Sequence, residues 1–127
     1  MLIKVESSKG VKEVKEKLEE TAKSKGFGVM GTHEVTDILE SKGHPISYRC
    51  VIVEICQPKA ASEVLSRNPY ISTAMPCRVA IFEENGKTVL STIAPTQMIE
   101  MYNEPELKGV AEEIERLVKE IMEESAK

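Results

Sequence analysis

Apolar and polar residues alternate most cleanly in "YRCVIVEI", residues 48–55. Val51, Val53 and Ile55 fall on one side of an extended chain, and Tyr48, Cys50, Ile52 and Glu54 on the other. Both sides are partly apolar, so this strand is expected to lie inside a sheet, with helices over one face and other matter over part of the second. In a chain this short, a second copy of the protein is the economical cover. Period-two runs also mark "LIKVE" as a short edge strand and "FGVMGTHEV" as another strand that two glycines weaken. "CRVAIFEENGKTVLSTI" reads as a hairpin, because Asn85-Gly86 supplies the positive φ angles a type I′ turn requires.

Helical spacing appears in three longer places. Val11, Val14, Leu18 and Ala22 predict a helix over 9–25 that stops at Gly26. "PKAASEVLSRN" predicts a helix with Pro58 in its first turn and Asn68-Pro69 as its end. Val110, Ile114, Leu117, Val118, Ile121 and Met122 form one stripe of a final helix from about Glu104. A shorter helix, "TDILESKG", is expected to start from Thr36 as its cap and to stop at Gly43. The order βαβαβαββα predicts an α+β fold: a two-layer α/β sandwich, its mixed, mainly antiparallel sheet of about five strands carrying the long helices on one face. Residues 1–127 are read as a single α/β domain, since no repeat or linker interrupts them.

Charge and composition then remove whole classes of function. The net charge is −4, and lysines are interleaved with glutamates rather than gathered in a stripe, so no nucleic-acid partner is expected. No apolar run reaches the 18 or so residues that span a bilayer, so no membrane association is expected either. The N-terminus meets a charged helix before any secretory h-region, which points to a cytoplasmic protein. Asp37 is the single aspartate among 21 acidic residues, and amides are few. That bias favours ion-pair networks over thermolabile side chains and suggests a thermophilic source. Motifs for nucleotide binding, serine hydrolysis, metalloproteolysis and calcium loops are all absent from the sequence.

The chemistry that remains gathers around cysteine. Cys50, Cys56 and Cys77 cannot all pair within one chain, and no CxxC spacing occurs. Cys56 ends the clearest strand, with Gln57 as a potential helix cap and Pro58 behind it. Free N–H groups and the helix dipole there could depress its thiol pKa; burial at a tight corner would make it a plain packing residue. Cys77 follows Pro76 and shares strand parity with Val79 and Ile81, which directs it to the core; Cys50 reads as packing. His33 and His44 with two cysteines match no zinc-module spacing, so no metal is expected. Glu54, inside an apolar strand, is expected to pair with Arg49 or Arg78, although burial alone would raise its pKa. "NPYISTAMPCR", residues 68–78, reads as a proline-punctuated loop able to cover a pocket or meet a partner.

The order Cys56-x-Pro58, Ala61, Leu65, Asn68-Pro69 and Met75-Pro76-Cys77-Arg78-Val79 resembles the domain of unknown function 302 family. The upstream glycine-bounded strand, the Lys42-Gly43 helix end and Tyr48 before the clearest strand are similar too. Gln57 stands where that family usually has Asn, and Met75 where it has Leu. The resemblance implies a small two-layer α/β domain that often dimerises, with no established reaction, substrate or cofactor. It makes Cys56, Pro58, Pro76 and Cys77 the site to watch. Two readings follow. The first is a homodimeric binding or accessory domain with a small-molecule pocket or an interface at these junctions. The alternative is a thiol-dependent redox or sulfur-transfer protein with Cys56 as nucleophile and Cys77 as resolving partner.

Overall fold

The computed structural model describes residues 1–127. Five strands, β1 (Leu2–Ser7), β2 (Gly28–Glu34), β3 (Cys50–Cys56), β4 (Cys77–Glu84) and β5 (Lys87–Ile93), form one sheet in the order β1-β5-β4-β3-β2. Every ladder is antiparallel. The helices are α1 (Val11–Ser24), α2 (Val35–Ser41), α3 (Pro58–Arg67), α4 (Pro95–Glu100) and α5 (Lys108–Ala126). The architecture is the expected α+β sandwich, with its sheet purely antiparallel rather than mixed.

The period-two reading of β3 matches its burial. Val51, Val53 and Ile55 are fully enclosed, while Cys50, Ile52, Glu54 and Cys56 on the other side are half-buried. β3 lies inside the sheet, between β2 and β4, and β4 takes the middle. The enclosed face meets Val14 and Leu18 of α1 and Val118, Ile121 and Met122 of α5, which together with Val79, Ile81 and Leu90 make one core. Burying a side chain such as Leu18 contributes about 1.5–3 kcal/mol, so this layer of α1 and α5 on sheet supplies the main driving force for the fold.

Local signals set the element ends. Gly26, at φ 83°, closes α1: its N–H bonds Lys23 O and the Phe27 N–H bonds Ala22 O, satisfying carbonyls the helix leaves open. Gly43, at φ 82°, does the same for α2 through Glu40 O and Leu39 O. Asn85 and Gly86 both hold positive φ in the β4–β5 turn.

Three expectations need correction. Thr36 does not cap α2, which begins one residue earlier; its hydroxyl donates to Tyr48 O at 2.9 Å and accepts from Cys50 N–H at 2.7 Å, tying α2 to the start of β3. Residues 69–74, read as loop, form a 3-10 helix whose first turn is capped by the Asn68 side chain, which accepts from Tyr70 N–H. The final helix starts at Lys108, not Glu104, after α4 and a short 3-10 turn at Pro105–Leu107 that the periodicity does not reveal. Six residues of α4 are too few to display a helical stripe. No helix is long and apolar enough to cross a membrane.

Candidate functional site

The two junctions singled out in the sequence meet because β3 and β4 are neighbours. Ile55 pairs with Cys77 across the ladder, which puts the end of β3 beside the start of β4. Beyond Cys56 the chain turns into α3 by a rule the residues dictate. Gln57 takes an extended conformation and its side-chain oxygen accepts from Ala60 N–H at 3.2 Å, while Pro58 occupies the first turn, where its missing N–H leaves nothing unsatisfied. On the other junction the Met75–Pro76 peptide is cis, delivering the chain into β4.

Between these junctions lies a cavity of about 90 Å³. Cys56, Pro76 and Cys77 line it, joined by Met75 and by Met98 of α4; Pro58 is not on its wall and serves the helix start instead. Of 19 lining residues 16 are hydrophobic, so the cavity is a break in the apolar packing between α3, α4, α5 and the sheet end. The polar side chains at its edge are engaged elsewhere. The Gln57 carbonyl oxygen caps α3, and the Tyr102 hydroxyl shares a 2.7 Å hydrogen bond with Thr73. A wall of this kind holds water poorly, since a retained water needs two to four polar partners.

Burial decides the protonation of the thiols. It pushes Cys77 up to about 11, with the nearby Cys56 sulfur adding to the shift, and it raises Cys56 as well. The helix-dipole argument for a depressed Cys56 thiol therefore fails: desolvation of the thiolate outweighs the pull of the α3 N-terminus. Both groups are neutral thiols at neutral pH. Cys50, at the far end of β3, is likewise free and raised by burial, and it takes no part in the cavity.

The histidines are not brought to these cysteines. His33 of β2 stands on the outer face of the sheet, its Nε2 at 2.9 Å from Glu54 Oε1, while the Arg78 Nε donates to Glu54 Oε2 at 3.2 Å. His44 is exposed in the loop after α2. Glu54 thus finds Arg78, as expected, whereas Arg49 pairs with Asp37 at 2.9 Å. The hydrogen bond from His33, with Arg78 behind it, holds the Glu54 carboxyl below the ordinary range, so the raised pKa that burial alone would give does not occur. Gly31 is part of this cluster: a Cβ there would lie 3.1 Å from Glu54 Oε1 and 3.4 Å from His33 Nε2. The sequence names His33 only as a possible metal ligand and does not reveal its pairing with Glu54 or the part of Gly31, because the β2–β3 register that joins them to Glu54 is not local information.

Comparison with known proteins adds context to this geometry. The family model described as "Domain of unknown function DUF302" matches residues 3–125. Among solved structures, the chain is similar to an uncharacterized conserved DUF302 protein from Bacillus stearothermophilus, known from a crystal structure. The two share 35% identity and superpose with a TM-score of 0.92, over 98% of this chain and 97% of that one. No curated protein matches.

Proposed function

This chain belongs to the DUF302 family, whose description names no activity, and we propose from its site that it is a small binding domain using the Cys56–Cys77 cavity as its ligand pocket. One observation carries the reading: two sequence junctions separated by 20 residues converge on one half-open, almost wholly apolar cleft. A concave apolar pocket with few polar groups is the usual form of a small-molecule site. The ligand suited to it is small and meets carbon and sulfur rather than charged side chains on the wall.

The methionines provide a built-in test. Six are present, and Met75 and Met98 line the cavity while Met1, Met30, Met101 and Met122 do not. Titration with benzene, followed by the methionine methyl NMR signals, should shift Met75 and Met98 saturably and leave the other four in place. Uniform small shifts, or none, would remove the pocket reading.

A second copy of the chain is the proposed cover for the outer sheet face. Ile52, Ala80, Phe82 and Val89 occupy its middle by strand alternation, and Leu2 and Ile93, 55% and 51% exposed, form a cross-strand pair at one edge. Lys4, Glu6, Glu54 and Arg78 give that face both signs of charge, which a two-fold copy can match to itself. The same proposal takes the domain to be cytoplasmic and of thermophilic source; its three unpaired cysteines support the first, since free thiols persist in a reducing compartment, and its bias toward charged residues over amides supports the second. Light scattering at micromolar concentration should return twice the 14.1 kDa chain mass; the monomer mass would contradict the dimer. The redox alternative has the closeness of the two thiols in its favour and their raised pKa values against it.

A further inference from the structure

Four sulfur-bearing side chains, Cys56, Met75, Cys77 and Met98, share the wall of one cavity, and no histidine, aspartate or glutamate joins them. They arrive from three separate places: the end of β3, the junction into β4, and α4. Nowhere in the chain do three or more His, Cys, Asp or Glu side chains gather for a metal. Hard cations, which need oxygen ligands, therefore have no site here, and Zn(II) would find only two of the four thiolate, imidazole or carboxylate ligands of its tetrahedral sites. Thioethers are different. They are weak ligands for hard ions and good ones for soft closed-shell ions, and thiolate with thioether is the donor set that selects Cu(I).

We propose that the pocket is a site for a soft monovalent metal ion, Cu(I), held by Cys56 with the thioethers of Met75 and Met98 and the sulfur of Cys77. This rests on the pocket reading above and names its ligand class. Charge favours a monovalent ion in so apolar a space. Cu(I) enters as the Cys56 thiol gives its proton to solvent, and one thiolate then cancels one positive charge, leaving a neutral complex that pays no net-charge desolvation. Cys56 supplies that thiolate because it is the less buried of the two thiols. No electron transfer is involved. The sequence spacing could not suggest this site, since methionines are unremarkable in sequence and α4, which carries Met98, is not visible in the periodicity.

The test is retention of Cu(I) by reduced, anaerobic protein against bicinchoninate as competing chelator. The wild type and Cys50→Ser should each hold one ion per chain, and neither should hold Zn(II). Cys56→Ser and Met98→Leu should each weaken retention by at least about tenfold, corresponding to the loss of one inner ligand. Met98→Leu keeps an apolar side chain of similar size, so it decides the matter if Cys56→Ser does not fold. Failure to retain Cu(I), retention that depends on Cys50, or retention untouched in Met98→Leu would each overturn the assignment. If benzene still shifts Met75 and Met98 in protein that does not retain Cu(I), the metal falls and the pocket stands; if neither probe binds, both fall.

Discussion

Gly31 shows how a single absent side chain shapes the outer face. Its bare Cα leaves room for the Glu54 carboxylate to reach both His33 and Arg78. Because the folded Glu54 carboxyl lies below its unfolded value, it stabilises the protein at neutral pH, and that contribution is lost as pH falls below about 4 and the carboxyl takes up a proton. Denaturant unfolding between pH 3 and 7 should show this acid-side loss in the wild type and a shallower one in Glu54→Gln. Gly31→Ala should flatten it similarly by pushing the carboxylate away. Equal slopes in all three would remove Glu54 from the acid response. Cys77 works in the opposite direction. The unfolded chain releases this proton near 9.0 and the folded chain holds it to about 11, so stability should fall as pH rises through that window. Cys77→Ala should lose this alkaline slope, and an unchanged slope would assign it elsewhere. These residue-scale features were only partly legible. Strand parity places Cys77 toward the core, whereas at Cys56 the helix start and burial pull in opposite directions and only the folded packing shows that desolvation outweighs the helix.

Elements whose signals are short-range were readable, and those that depend on distant partners were not. Gly26 and Gly43 end their helices because each adopts positive φ, and a Cβ is disfavoured there; Gly26→Ala should destabilise by about 1 kcal/mol. Thermal or denaturant midpoints check this, and no loss would mean that the αL cap contributes nothing. Thr36 illustrates the other case. A threonine before an apolar run fits a cap equally well as a tether, and only the presence of Tyr48 and Cys50 across the gap makes it a tether. Thr36→Val leaves the Cys50 N–H without its acceptor and should cost about 1–3 kcal/mol, read from the same unfolding midpoints. α4 stayed hidden for want of length, and with it the part Met98 plays in the pocket wall.

At the scale of the molecule, hydrophobic periodicity was enough for the layers, because two apolar helix stripes and one apolar sheet face must meet. It was not enough for the strand order, which depends on ladders between residues far apart in sequence. That order is what turns Cys56 and Cys77 from two separate corners into one wall. The main core is one cluster of 16 buried residues, separate from a small one at Val64, Ile71 and Leu107, so Leu18→Ala within it should lose about 2–5 kcal/mol. A much smaller loss would mean that the α1 layer collapses around the gap. The claim on which the functional account depends is that the space between β3, α3, α4 and α5 is an accessible ligand pocket. Diffraction from crystals pressurised with xenon, which enters dry apolar cavities, tests it most directly. The account predicts a xenon atom bounded by Cys56, Cys77 and Met98; a cavity that stays empty while xenon binds elsewhere would contradict it.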